Sequence, residues 1–474
     1  MFLIAVQPPF LTIQCNSIYL ALHPLLPCLM FVPPISPFAV IGTPNAPPSS
    51  LAQVLSAPNP THPTHLAPTR HARVVATPIP SINCAQFPSH RGVGRCAPSD
   101  SSSLTLSPSA RSRHRRSRLC LALCLLPLFL APSLHAQSPR KVVIDQDAAG
   151  PGGTDMQSIL ALINSPETDV LGITVLTGDA WRDEEVLHTL RLLEIIGRTD
   201  IPVVPGAVFP LVSSKEYIAK WETLYGKVVY QGAWNFGHRN AVHGPYEIPP
   251  MPEGAPTTKP ANEDAAHFLV RMVHLYPHEV TIYAAGPMTD LALAIALDPH
   301  FPELAKELIV MGGSINPQSD DPEFKLSPKR EFNFWMDPEA THAVLHAHWP
   351  RLVLTTVDIS IKTRMEKSLI AEIANSKTPA AQYVVKYAEP NFLWDELAAV
   401  AWLDPSIITK SEKLYVGVNV DHGAGYGDTL VWAPGNQPAM GEALADVQQD
   451  LDKQKFYKEY VDLLTRPTPP PRPR

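Results

Sequence analysis

The stretch Lys141-Val-Val-Ile-Asp145-Gln-Asp147-Ala-Ala-Gly150-Pro-Gly-Gly-Thr154-Asp155-Met156 decides the reading. An apolar run ends abruptly in two carboxylates, a glycine-rich turn follows, and a third carboxylate opens a segment with apolar residues at Met156, Ile159, Leu160 and Ile163. That pattern is strand, loop, helix, with acids gathered at the carboxyl end of the strand. In open α/β sheets ligands bind at those ends. Asp145 and Asp147, two residues apart, share a face if the strand continues. The loop lets Asp155 fold back toward them. Three carboxylates on one short loop repel each other unless a hard cation such as Ca²⁺ sits among them. The plainer alternative is an acidic turn capping a helix, and spacing alone leaves both open.

Outward from this stretch, strand-like and helix-like segments alternate. Strands are expected at 170–175, 201–204, 280–284, 307–311 and 352–356. Helices are expected at 183–196, 261–276, 288–297 and 337–346, then near 366–375, 378–388 and 395–402. This alternation predicts an α/β fold, a mostly parallel central sheet with helices on both faces. Segment 208–260 is irregular, aromatic and Pro-rich, too long for a mere connection. It is expected to form a binding loop or lid, with Trp221, Tyr225, Tyr230, Trp234 and Phe236 as stacking surfaces or as a subsidiary core.

Composition divides the chain. Residues 1–136 hold one acid, Asp100, no lysine, and all six cysteines. This basic, Pro- and Ser-rich stretch contrasts with a whole-chain net charge of −7. Within it, residues 111–118 form a positive n-region, 119–130 an apolar h-region, and Ala136 a small residue suited to cleavage, the layout of a signal peptide. Residues 1–110 are expected to be a disordered leader, or the product of a start assigned too far upstream. The mature domain is then 137–465, exported to the periplasm or secreted, with no stable membrane anchor, and 466–474 a disordered tail. Its lack of cysteine excludes disulfides and thiolate metal sites, and its acidity argues against a nucleic-acid polymer as partner.

Further strand-end motifs carry a resemblance. They are Gly172-Ile-Thr-Val-Leu-Thr-Gly178-Asp179, Ile201-Pro-Val-Val-Pro-Gly206, Ala284-Ala285-Gly286-Pro287-Met288-Thr289-Asp290-Leu291-Ala292, Met311-Gly312-Gly313 with Glu331-Phe332-Asn333 and Asp337-Pro338-Glu339-Ala340, and Trp394-Asp395. In this order they resemble the inosine-uridine preferring nucleoside hydrolase family over about residues 141–435. The resemblance implies a Rossmann-like nucleoside hydrolase fold and a Ca²⁺ site. Asp147, Asp155 and Asp395 would give carboxylates and Ala285 its backbone carbonyl, with Asp145 supporting from behind. Glu331 and Asn333 would hold ribose hydroxyls, with Asn316, Thr154, Asp179 and Trp394 as further substrate contacts. It also implies a small nucleoside substrate and a homo-oligomer.

The implied chemistry is hydrolysis of an N-glycosidic bond to free base and ribose, with a Ca²⁺-bound water activated by Asp147. This chain departs from the family pattern at three places. Trp394 stands where a histidine is common beside the last aspartate, Thr154 where the first Asp of an Asp-Asp pair is usual, and Asp179 where Asn is usual. Tryptophan donates no acid proton, leaving His238, His243 and His422 as alternatives for the leaving-group acid. Two other readings compete. One is an exported nucleoside- or ribose-binding protein with little turnover. The other is a haloacid-dehalogenase-type phosphohydrolase using Asp145, which leaves Glu331-Phe-Asn333 unexplained.

Overall fold

The computed structural model describes residues 138–235 and 241–472. The leader, the signal-like segment, Phe236 and His238 lie outside the described residues. Nine strands form one sheet among them: β1 (Arg140–Gln146), β2 (Thr168–Val175), β3 (Val203–Pro205), β4 (Val280–Ala285), β5 (Glu307–Met311), β6 (Leu352–Thr355), β7 (Ile408–Val418), β8 (Thr429–Trp432) and β9 (Ala443–Leu451). Their spatial order is β3-β2-β1-β4-β5-β6-β9-β7-β8. Strands β1 to β6 and β9 pair in parallel, and β7 runs antiparallel to β9 and β8.

The sheet is mostly parallel because successive strands are linked by helical segments that pack on its faces. Alternate strand residues feed two cores. Val142, Ile144, Tyr283, Ile309 and Met311 join one, with helices Thr154–Asn164, Arg182–Ile196 and Trp394–Leu403. Val143, Ile282, Ala284, Leu308 and Val310 join the other, with helices Ala265–Leu275, Thr289–Leu297 and Pro338–Leu345. This is the two-residue period of a strand buried on both faces. Helix Arg182–Ile196 stops at Gly197, whose φ of 74° is the left-handed conformation that glycine adopts at little cost.

Chain order reverses between β1 and β4. From β1 the chain moves outward to β2 and β3, then returns to the middle as β4 and continues to β5 and β6. A crevice opens at such a switch point. Segment 208–260, expected to be irregular, holds a helix, Lys215–Tyr225. The last stretch, 466–472, lies along the body: Thr468 donates to Asn164 (2.8 Å) and Arg472 to the Pro166 carbonyl (2.6 Å). No helix among the described residues is long and apolar enough to cross a membrane.

Candidate active site

At the switch point lies a cleft of about 710 Å³. Asp147, just past β1, Asp155, in the first turn of helix Thr154–Asn164, and Asp395, in the first turn of helix Trp394–Leu403, all line it. The two helices pack against each other, which brings Asp395 to the opening loop. Ala285 closes β4 beside Gln146 in the ladder, and it too lines the cleft.

The acids are held by short contacts. The Gln146 side-chain amide donates to Asp395 (3.0 Å) and to Asp155 (3.3 Å). The Thr154 hydroxyl donates to Asp395 at 2.8 Å. The Asp179 backbone N–H donates to Asp147 at 3.1 Å, and the Asp179 carboxylate accepts from the Tyr230 hydroxyl at 2.8 Å. Two glycines make room for Asp147. A Cβ on Gly178 would stand 2.0 Å from its Oδ2, and one on Gly286 would stand 2.8 Å from its backbone nitrogen. Only glycine allows so close an approach.

Burial governs the electrostatics. Asp147 and Asp155 are pushed well above the usual carboxylate range, first by loss of water and then by neighbouring aspartates. Asp395 is pushed up to about 6, also chiefly by burial. Among the described residues no Lys, Arg or His lines the cleft. Uncompensated oxygen donors with no resident cationic side chain suit a hard cation. The oxygens are gathered rather than closed: no three His, Cys, Asp or Glu side chains among the described residues form a finished metal cage.

Asp145 lies beneath the cleft. It is fully buried, accepts from the Thr174 hydroxyl and faces Asp290. Both Asp145 Oδ2 and Asp290 Oδ2 lack a donor, and burial drives both carboxyls upward, Asp290 to about 7.

On the β5 side, Glu331 caps the short helix Phe332–Met336. Its carboxylate accepts from the backbone N–H groups of Gly313 (2.7 Å), Asn333 (2.8 Å) and Phe334 (3.1 Å). Asn333 donates to the Met311 carbonyl at 3.2 Å. Both residues line the cleft, as do Thr154, Asp179 and Trp394.

Asn316 is a correction. It does not reach the cleft but lines a separate groove with Asp358 and Lys362. After Gly313 the chain is drawn aside because Asp358 accepts the backbone N–H groups of Ile315 (2.9 Å) and Asn316 (2.7 Å). The described aromatics of segment 208–260 divide. Trp221 and Trp234 are buried in a subsidiary core with Trp181, Trp335 and Tyr426, Tyr225 is largely exposed, and Tyr230 lines the cleft. Neither described candidate histidine lines the cleft: His243 pairs with Glu184 (2.9 Å) and His422 with the Tyr217 hydroxyl (2.7 Å).

Gln146, which holds two of the acids, and the rings of Phe324, Phe332 and Phe392 in the cleft wall are among the features missing from the residues singled out in the sequence. Phe324 and Phe392 pack on Trp394 with centroids 5.6 and 4.9 Å away, and Phe332 packs on Tyr230 at 4.9 Å. Gln146 had a signal. A polar residue inside a buried strand needs hydrogen-bond partners. The phenylalanines had none, because an aromatic in a loop is as readily core as wall.

A family model for inosine-uridine preferring nucleoside hydrolases matches residues 142–458. The chain belongs to that family. Among its relatives, probable uridine nucleosidase 2 of Arabidopsis thaliana is 30% identical over 273 residues, covering 57% of this chain and 76% of that protein. The pyrimidine-specific ribonucleoside hydrolase RihA of Citrobacter koseri is 28% identical over 331 residues, covering 66% and 94%. A solved plant nucleoside hydrolase matches with a TM-score of 0.55 at 24% identity, covering 69% of this chain and 100% of that one, a likeness of fold. In this nucleoside hydrolase family member, Trp394 and Phe392 line the cleft together with Asp395.

Proposed function

We propose that this nucleoside hydrolase family member cleaves the N-glycosidic bond of ribonucleosides or related N-ribosides to free base and ribose. One observation carries the reading. Asp147 and Asp155, from the opening loop, and Asp395, from a helix far along the chain, meet Glu331 and Asn333 in one cleft at the sheet's switch point.

Asp147, Asp155, Asp395 and the Ala285 carbonyl would hold Ca²⁺. When bound, the ion would lower the pKa of a water and orient the ribose diol. Asp147 takes the proton of the water that attacks C1′. Glu331 is immobilised by three backbone donors, so its remaining lone pairs and the Asn333 side chain meet the ribose hydroxyls without rearrangement. Fixed groups of this kind favour the transition state over the ground state. Asp145 supports the loop from below. Trp394, Phe324 and Phe392 offer an apolar wall for the base.

Ribose release from inosine, uridine, adenosine and related N-ribosides tests this. It should require Ca²⁺ and collapse in Asp147→Ala. Tight ribonucleoside binding with no released base would replace the reading with that of a binding protein. Export after cleavage near Ala136 and assembly into a homo-oligomer belong to the same proposal, supported by the basic-then-apolar run at 111–130 and by the family resemblance. They are checked by N-terminal sequencing of the natural protein and by sedimentation.

A further inference from the structure

We infer that Glu323 is the catalytic acid that protonates the departing base, an inference that rests on the N-riboside reading above. Glu323 sits on the short helix Pro322–Leu326, between β5 and Glu331, and lines the cleft together with Asp179, Tyr230 and Phe332. Its neighbour Phe324 packs on Trp394, which packs on Phe392. The carboxyl is therefore one residue from the aromatic wall suited to the base.

Three other groups lining the cleft, Tyr230, Trp394 and Glu331, are poorly suited to the task. The Tyr230 hydroxyl donates to Asp179 (2.8 Å), and Trp394 offers no acidic proton. Glu331 is fixed by three backbone N–H groups. Glu323 makes no side-chain hydrogen bond among the described residues; only its backbone is engaged, its N–H donating to Asp321 (3.0 Å) and its carbonyl accepting from the Ser327 N–H (3.2 Å). The cations nearby turn away. On its own helix Lys325 pairs with Asp320 (3.2 Å), and Arg330 pairs with Asp428 (3.2 Å). The charges that reach Glu323 are Glu331, Asp321 and Asp179, all acidic. Burial first, and these carboxylates second, lift its carboxyl to about 8. A carboxyl so placed keeps its proton at neutral pH and can give it up at the cleft.

The step balances. The C1′–N bond breaks with its electron pair going to the base, and the Glu323 proton passes to a base nitrogen, so the base leaves neutral. The water oxygen bonds to C1′ and its proton goes to Asp147. Solvent reprotonates Glu323 and deprotonates Asp147, and one water is consumed per riboside.

Glu323→Gln keeps the shape and removes the proton. The full-length protein and this variant are assayed on inosine and uridine, and on p-nitrophenyl β-D-ribofuranoside, whose leaving group needs no proton. The expected result is a fall of about 100-fold or more in the kcat ratio of nucleoside to nitrophenyl riboside. An alkaline decline in wild-type nucleoside turnover, centred near pH 8 and absent with the nitrophenyl substrate, should accompany it. Equal loss on both substrates, or no loss on either, overturns the role of Glu323 while leaving the hydrolase reading intact. A wild-type protein that cleaves neither substrate removes the hydrolase reading and this role with it.

Discussion

Gln146 at the end of β1 donates a 3.0 Å hydrogen bond to Asp395, 249 residues further along the chain. The same amide reaches Asp155, so one neutral side chain holds two carboxylates that would otherwise repel each other. Mutation of groups that orient metal ligands typically costs 10–100-fold in metal affinity. Gln146→Leu should therefore weaken Ca²⁺ binding by about that factor, read by calorimetry. Unaltered affinity would mean that the amide merely fills space.

Calcium should stabilise the protein more as pH rises. Asp395 binds its proton more tightly folded than unfolded, since its pKa is raised to about 6. Without metal, that stability is full below the unfolded value and is lost as pH climbs through about 6. Metal needs the deprotonated form, so its contribution grows over the same window. The Tm gain on adding Ca²⁺ should be small near pH 4.5 and large near pH 7, by scanning calorimetry. A gain independent of pH would count against Asp395 as a ligand.

Gly178 is constrained by Asp147 alone among its nearest contacts. Gly178→Ala puts a methyl group into that carboxylate and should cost about 1–3 kcal/mol of stability. Turnover should fall further than stability explains, because Asp147 must move. Normal kcat in the variant would show that the position of Asp147 is not critical.

Glu331 and Asn333 face the cleft on one short helical turn. If they read ribose hydroxyls, wild-type protein should disfavour 2′- or 3′-deoxy analogues strongly, by about 10⁴-fold in kcat/KM at the limit. Asn333→Ala should narrow that discrimination. A wild-type enzyme indifferent to a missing hydroxyl would remove sugar recognition from these residues.

The strands that flank the site, β1 to β5, were legible because they are short apolar runs followed closely by Gly or Asp, and such runs carry their burial in their composition. Strand β7 was not. Its first half, Ile408 to Lys413, is exposed and polar, so no alternation marks it, and its pairing with β9 replaces a local signal. Asn316 misled for a related reason. The family resemblance implied it as a substrate contact, but Asp358, 42 residues away, captures its backbone.

Sequence by itself determined the α/β alternation, the opening acidic loop and the chemistry of its side chains, because periodicity and turn composition act over a few residues. Tertiary structure decided which acids meet, that Asp145 lies below them, that His243 and His422 stand elsewhere, and that Glu323 lines the same cleft as Trp394. Those outcomes depend on helix packing and strand pairing between segments far apart in the chain, where the free energy lies in contacts that no local pattern records.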